Sequence, residues 1–266
     1  MFRHTRKRPI VCSGLTLLEL VVVMGILVAL AGIIIPLMPG LVEKAASTAG
    51  ATNLDEIDKA VQLFASQNNN MYPNDYDSLV DSSGNLQSYV PNGFGAWFST
   101  GSSSTLSADL SALNIAGISN VVPMIAQPTG TIGDWSPTYF PYGTDSTVTP
   151  TPVALSGTGT GALAYVNGSI AANLFAVPTD GRYVIFGLGK YSTISGVTMA
   201  QPPVYFSATN GYDPDHKYAR FGLVFQTAGA GGTALISAKF LGAVVLDYYG
   251  LDNQDQLLYQ NQMVNK

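Results

Sequence analysis

Residues Leu20–Val42 form a run of 23 amino acids without one charged side chain, and a single acid, Glu19, stands immediately before it. A helix rises about 1.5 Å per residue, so a run of this length reaches across a hydrocarbon core of about 30 Å. A carboxylate at the centre of such a span costs roughly 2.5–3.5 kcal/mol on insertion scales, so an acid kept at its mouth calls for a partner or a purpose. Pro36 and Pro39 each remove a backbone donor, which predicts a kink or local unwinding late in the run.

The flanks give the run a direction. Arg3, Arg6, Lys7 and Arg8 precede Gly14 with no acid among them, which keeps the leader on the cytoplasmic side and places the body across the inner membrane. A cleaved secretory signal also opens with basic residues, but no small-x-small site followed by polar residues closes this run, which continues through Ala29–Ile35. Beyond Gly14 the chain holds 8 basic and 17 acidic residues, a net of −9, and so lacks the basic surface that a nucleic acid requires. Cys12, the one cysteine, lies in the leader, excluding an intrachain disulfide or Cys-based metal site from the rest. Cys12 also precedes the apolar segment, whereas lipidation needs a cysteine after it. The histidines are His4 and His216, so a His-dependent zinc site or nucleophile in the body would rest on His216 alone.

A short basic leader, then Gly14, then Leu15-Thr16-Leu17-Leu18-Glu19, then about twenty apolar residues, resembles the class III signal of type IV prepilins and type II secretion pseudopilins. The resemblance implies cleavage between Gly14 and Leu15 by a membrane prepilin peptidase, with methylation of the new amine. The usual first mature residue is Phe, and Leu15 departs from it. Glu19 would be the fifth mature residue, pairing with the N-terminal amine of a neighbouring subunit during filament assembly. Physically, a buried carboxylate is tolerated when a cation meets it, and loss of the partner leaves a costly orphan charge. A local alternative is a helix capping box, Thr16-x-x-Glu19, which leaves the glycine, the leader and the apolar run unexplained.

After Glu43 and Lys44 the pattern becomes amphipathic. Leu54, Ile57, Val61 and Phe64 recur at steps of three and four, while Asp55, Glu56, Asp58, Lys59 and Gln62 face away. Leu15 to about Ala65 therefore reads as one broken helix of roughly 75 Å. Gln67–Asn70 ends it, because Asn tolerates left-handed geometry. The stretch Ala60–Val80, with Tyr72-Pro73 and then Asp75, Asp77 and Leu79, resembles the junction of the major pseudopilin. On residue chemistry alone, Tyr72 plugs the groove between helix and sheet and Pro73 stops the helix.

Residues 81–161 are rich in Ser, Thr, Gly and Pro and read as a loop-rich insertion, with apolar pieces such as Val121–Ile125 and Trp135 that must pack somewhere. Gly157-Thr-Gly-Thr-Gly161 lacks the Lys-Ser/Thr of a phosphate loop and reads as a flexible turn. Strand signals follow at Ala162–Val166, Arg182–Leu188, Val204–Ala208, Phe221–Gln226 and Leu235–Leu246, predicting an antiparallel sheet of four or five strands. Asn210–His216 brings Asp213 and Asp215 into one loop. These are candidate calcium ligands, against the alternative of a solvated Asx turn. No other cofactor is expected, and no spacing of nucleophile, base or paired acids points to an enzyme.

The expected fold is α+β: a long N-terminal helix, transmembrane in its first half and amphipathic in its second, packed on a C-terminal antiparallel sheet in the pilin-like manner. The segments are leader 1–14, membrane and assembly helix 15–42, amphipathic helix and junction 43–80, insertion 81–161 and sheet head 162–266. The resemblance implies a structural pseudopilin of a type II secretion system, polymerising with other pseudopilin subunits on an inner-membrane platform powered by an ATPase. A surface type IV pilin, a minor tip subunit, and a membrane-anchored periplasmic binding domain or enzyme that never polymerises remain as alternatives.

Overall fold

The computed structural model describes residues 17–34, 38–86, 90, 98–100, 105–123, 151–205, 221–247 and 250–252. Within them the protein is a mixed α/β structure of four α-helices and one nine-stranded sheet, and the chain divides into two compact units, Met1–Val42 and Glu43–Lys266. Helix α1 is Leu17–Ile34 and α2 is Met38–Gln67, and residues 35–37 between them, Pro36 included, lie outside the described residues. Pro39 lies in the first described turn of α2.

The C-terminal part of α2 is amphipathic as its spacing dictates, except that Asp58, expected to face away, accepts the Ala243 N–H of the sheet. Ala51, Leu54, Ile57, Ala60, Val61 and Ala65 are buried, and Phe64 packs against the same core. Asn68 donates its backbone N–H to Phe64 and Ala65, and Asn70 donates to Ala65. Asn69 and Asn70 take φ of 55° and 62°, the left-handed geometry expected of this stop. Tyr72 then packs edge-on against Phe225, ring centroids 5.4 Å apart, and beside Phe240, filling the groove between α2 and the sheet.

Strands β1 (Tyr76–Asp77), β6 (Arg182–Gly187), β7 (Phe221–Ala228), β8 (Ala234–Asp247) and β9 (Gly250–Asp252) form the body of the sheet. Their pairings are antiparallel, as is that of β5 (Ala164–Val166) with β6. Side chains alternate across it. Val184, Phe186, Leu223, Phe225, Ala243 and Val245 share one core with α2, while Tyr183, Ile185, Val224, Val244 and Leu246 belong to a second. The second core is covered by α4 (Gly168–Phe175) through Ala171 and Leu174. Burial on both faces explains why β6 and β7 read as nearly continuous apolar runs. Helix α4 was not anticipated, although Asn167 caps it by accepting the Ser169 N–H.

The described parts of 81–161 hold more regular structure than their composition suggests. They supply β2 (Phe98–Thr100), α3 (Leu106–Ile115), β3 (Asn120–Val122) and β4 (Val153–Ala154), all three strands joining the same sheet. Strand β3 pairs in parallel with β1, Tyr76 opposite Val121, an exception to the expected antiparallel pattern. Val121 and Val122 are buried, whereas Met124, Ile125 and Trp135 lie outside the described residues. Of the expected strand Val204–Ala208, Val204 and Tyr205 are not in a strand and the rest lies outside the described residues. The Gly157–Gly161 stretch is a packed turn: the N–H groups of Ser156 and Gly157 both donate to the Gly161 carbonyl, and Gly157 has φ 78°. Those donors are committed within the turn rather than offered to an anion.

Asn74 joins three distant segments. Its Oδ1 accepts the N–H groups of Ser119 and Asn120 at 3.0 Å, its Nδ2 donates to Ser119 Oγ, and its carbonyl accepts from Thr193 N. Next to it, Tyr76 is fully buried, stacked on Phe186 with ring centroids 5.8 Å apart, and its hydroxyl has no hydrogen-bond partner among the described residues. A buried unpartnered hydroxyl forfeits its hydration without return. Tyr76→Phe is therefore expected to keep the ring packing and raise stability by about 1 kcal/mol, read from urea unfolding; a loss of similar size would reveal a partner for the hydroxyl.

Candidate functional site

Helix α1 is 18 residues long, and every side chain in it except Glu19 is apolar or glycine. It has no polar face. Leu17, Leu18, Leu20, Val21 and Val22, then Met24, Ile26, Leu27, Val28 and Leu30, are each at least half exposed. Gly25 and Gly32, seven positions apart and so nearly on one face, have open space where a Cβ would stand. Small residues of this kind let a second helix approach closely.

Glu19 lies in the first turn of α1, exposed, near the end where the peptide dipoles place partial positive charge. Gly14 and Leu15, the expected processing site, lie outside the described residues, as does Thr16, so the capping-box alternative has no described geometry. Among the described residues no helix is long and apolar enough to cross a membrane. Helix α1 rises about 27 Å, short of the ~30 Å of a hydrocarbon core, while α2 carries charged residues along its length.

Asp213, Asp215 and His216 likewise lie outside the described residues. Among those described, no cluster of three or more His, Cys, Asp or Glu side chains could hold a metal ion.

The head contains one polar centre that sequence reading missed. Asp109 on α3 is completely buried and accepts the Arg182 Nε–H at 2.8 and 3.0 Å on its two oxygens. Tyr165 on β5 donates its hydroxyl to Asp109 Oδ2 at 3.0 Å, and Arg182 Nη1 donates to the Gly232 carbonyl at 2.7 Å. The Tyr165 pKa is raised, first by burial and then by the Asp109 charge beside it, so the phenol stays protonated and serves as a donor. The cluster ties α3, β5, β6 and the β7–β8 turn together. Its members are 56 and 73 positions apart, and no local motif announces such a set.

Compared with known proteins, the chain matches no family model, no curated protein and no solved structure.

Removing one partner of a buried ion pair strands the other charge. Asp109→Ala is expected to lower head stability by about 3–5 kcal/mol in urea unfolding monitored by tyrosine fluorescence. A change below 1 kcal/mol would mean that Arg182 finds solvent unaided.

Proposed function

We propose that this chain is a pseudopilin-like structural subunit of a type II secretion system, made as an inner-membrane precursor and assembled into a periplasmic filament. The observation that carries the reading is the sequence Gly14–Glu19 leading into a helix that is apolar on every face. A helix without a polar face calls for cover by lipid or by neighbouring helices, since soluble monomers rarely expose apolar patches beyond a few hundred Å². The apolar run through Val42 supplies the membrane anchor of the precursor. The amphipathic part of α2, laid on a largely antiparallel sheet, is consistent with a pilin-like head.

In this mechanism prepilin peptidase cuts between Gly14 and Leu15 and frees an amine. The α1 helices pack together in the filament, and Glu19 meets the amine of a neighbour in a low-dielectric bundle. The pairing fixes the register between subunits, because a carboxylate left unmatched there is costly. An assembly ATPase and the inner-membrane platform supply the work, and movement of the filament drives exported proteins outward. A minor subunit with a binding head is the second reading, favoured by the helix and three strands that 81–161 builds into the sheet.

Mass spectrometry of the protein from membranes is expected to find Leu15, methylated on its amine, as the first residue; an intact leader or a cut near Pro39 would sink the processing step. Glu19→Val is expected to insert and be cleaved normally yet enter filaments on the order of 100-fold less well, the equivalent of about 3 kcal/mol. Wild-type yields of sheared filaments from that variant would remove the role given to the carboxylate.

A further inference from the structure

Helix α2 is held on the sheet by apolar contacts and by a polar tie across 185 positions of sequence. Asp58 Oδ1 accepts the Ala243 N–H at 2.7 Å. The tie lies beside a break in the β7–β8 ladder, where Gly242 faces Val224 but Phe240 already faces Phe225. Such a bulge disrupts local pairing, and a side-chain acceptor satisfies a donor there. The fit is close. A Cβ on Gly242 would stand 2.8 Å from the Phe175 ring edge and 3.6 Å from Asp58 Oδ2, so glycine lets ring and carboxylate close over the strand.

The charges around Asp58 do not favour its ionised form. On α2, Asp55 repels it, Lys59 pairs with Asp55, and Glu56 is exposed. On β8, Gly242, Ala243 and Phe240 are uncharged and Lys239 is exposed; α4 brings only the Phe175 ring. Among the described residues Asp58 makes no ion pair. Burial therefore raises its pKa to about 6, the Ala243 hydrogen bond opposing and Asp55 reinforcing the rise.

We propose that Asp58 is a proton-operated latch between α2 and β8, firmest when its carboxyl is neutral and loosened when it ionises. The neutral carboxyl still offers an oxygen to the Ala243 N–H but no longer carries the desolvated charge. Because the folded pKa lies above the ordinary 3.8, the folded protein binds more protons than the unfolded chain between about pH 4 and 6. The latch's contribution is complete below that window, is lost as pH rises through it, and stays low above.

The test compares the full chain in detergent micelles with Asp58→Asn, which keeps an acceptor and cannot ionise. Between pH 4 and pH 7.5 the wild-type melting temperature should fall by about 5 °C relative to the variant. Amide exchange corrected for intrinsic rates should show extra opening at pH 7.5 in 51–65 and 238–246 of the wild type alone. Parallel melting curves and equal exchange in the two proteins would overturn the latch. Should Asp58→Asn fail to fold, the ¹³C titration of the Asp58 carboxyl in the wild type decides: a midpoint near 6 supports the latch and one below about 4.5 refutes it.

Discussion

The seating of Leu54, Ile57 and Val61 on the sheet is the contact on which the head depends. Each is at most 1% exposed, and burial of such side chains is worth roughly 1.5–3 kcal/mol apiece. Their partners include Phe186, Leu223, Phe225 and Val245, drawn from three strands, so one helical stripe fixes the position of β6, β7 and β8 together. Tyr72 extends that seat past the end of the helix, and its phenol oxygen accepts the Phe240 N–H. With Asp58 on Ala243, two backbone donors of β8 are bonded to side chains from α2 and its junction. Side chains that take up strand donors leave less for a foreign strand to pair with.

The same physics gives α1 the opposite character. Its composition is that of a buried helix, yet its side chains stand exposed among the described residues. Helix α2 narrows its apolar residues to a stripe once Asp55, Glu56 and Lys59 occupy the remaining faces, while Asp58 turns to the sheet. The second half of α2 is covered by the chain's own sheet.

Polar groups in the head do a different task from the apolar ones. Asn74 and the Asp109–Arg182–Tyr165 set are each bonded to several segments at once, linking parts of the chain that the hydrophobic cores only press together. Hydrogen bonds are directional where burial is not, so these groups select one arrangement among those that would bury similar area.

What the sequence determined by itself was local. The period of Leu54, Ile57 and Val61 announced an amphipathic helix, Asn69 and Asn70 announced its end, and the apolar runs of β6, β7 and β8 announced strands, because each signal depends on neighbours within a few residues. The Gly14–Glu19 stretch could be read as a resemblance for the same reason, and Gly14 and Leu15 lie outside the described residues. Only the tertiary structure decided that 81–161 adds a helix and three strands, that β3 runs parallel to β1, that α4 covers the second face, and that Asp58, Asp109 and Asn74 meet partners tens to hundreds of positions away. Those pairings are set by which surfaces come together when the sheet closes, and no spacing along the chain encodes that distance.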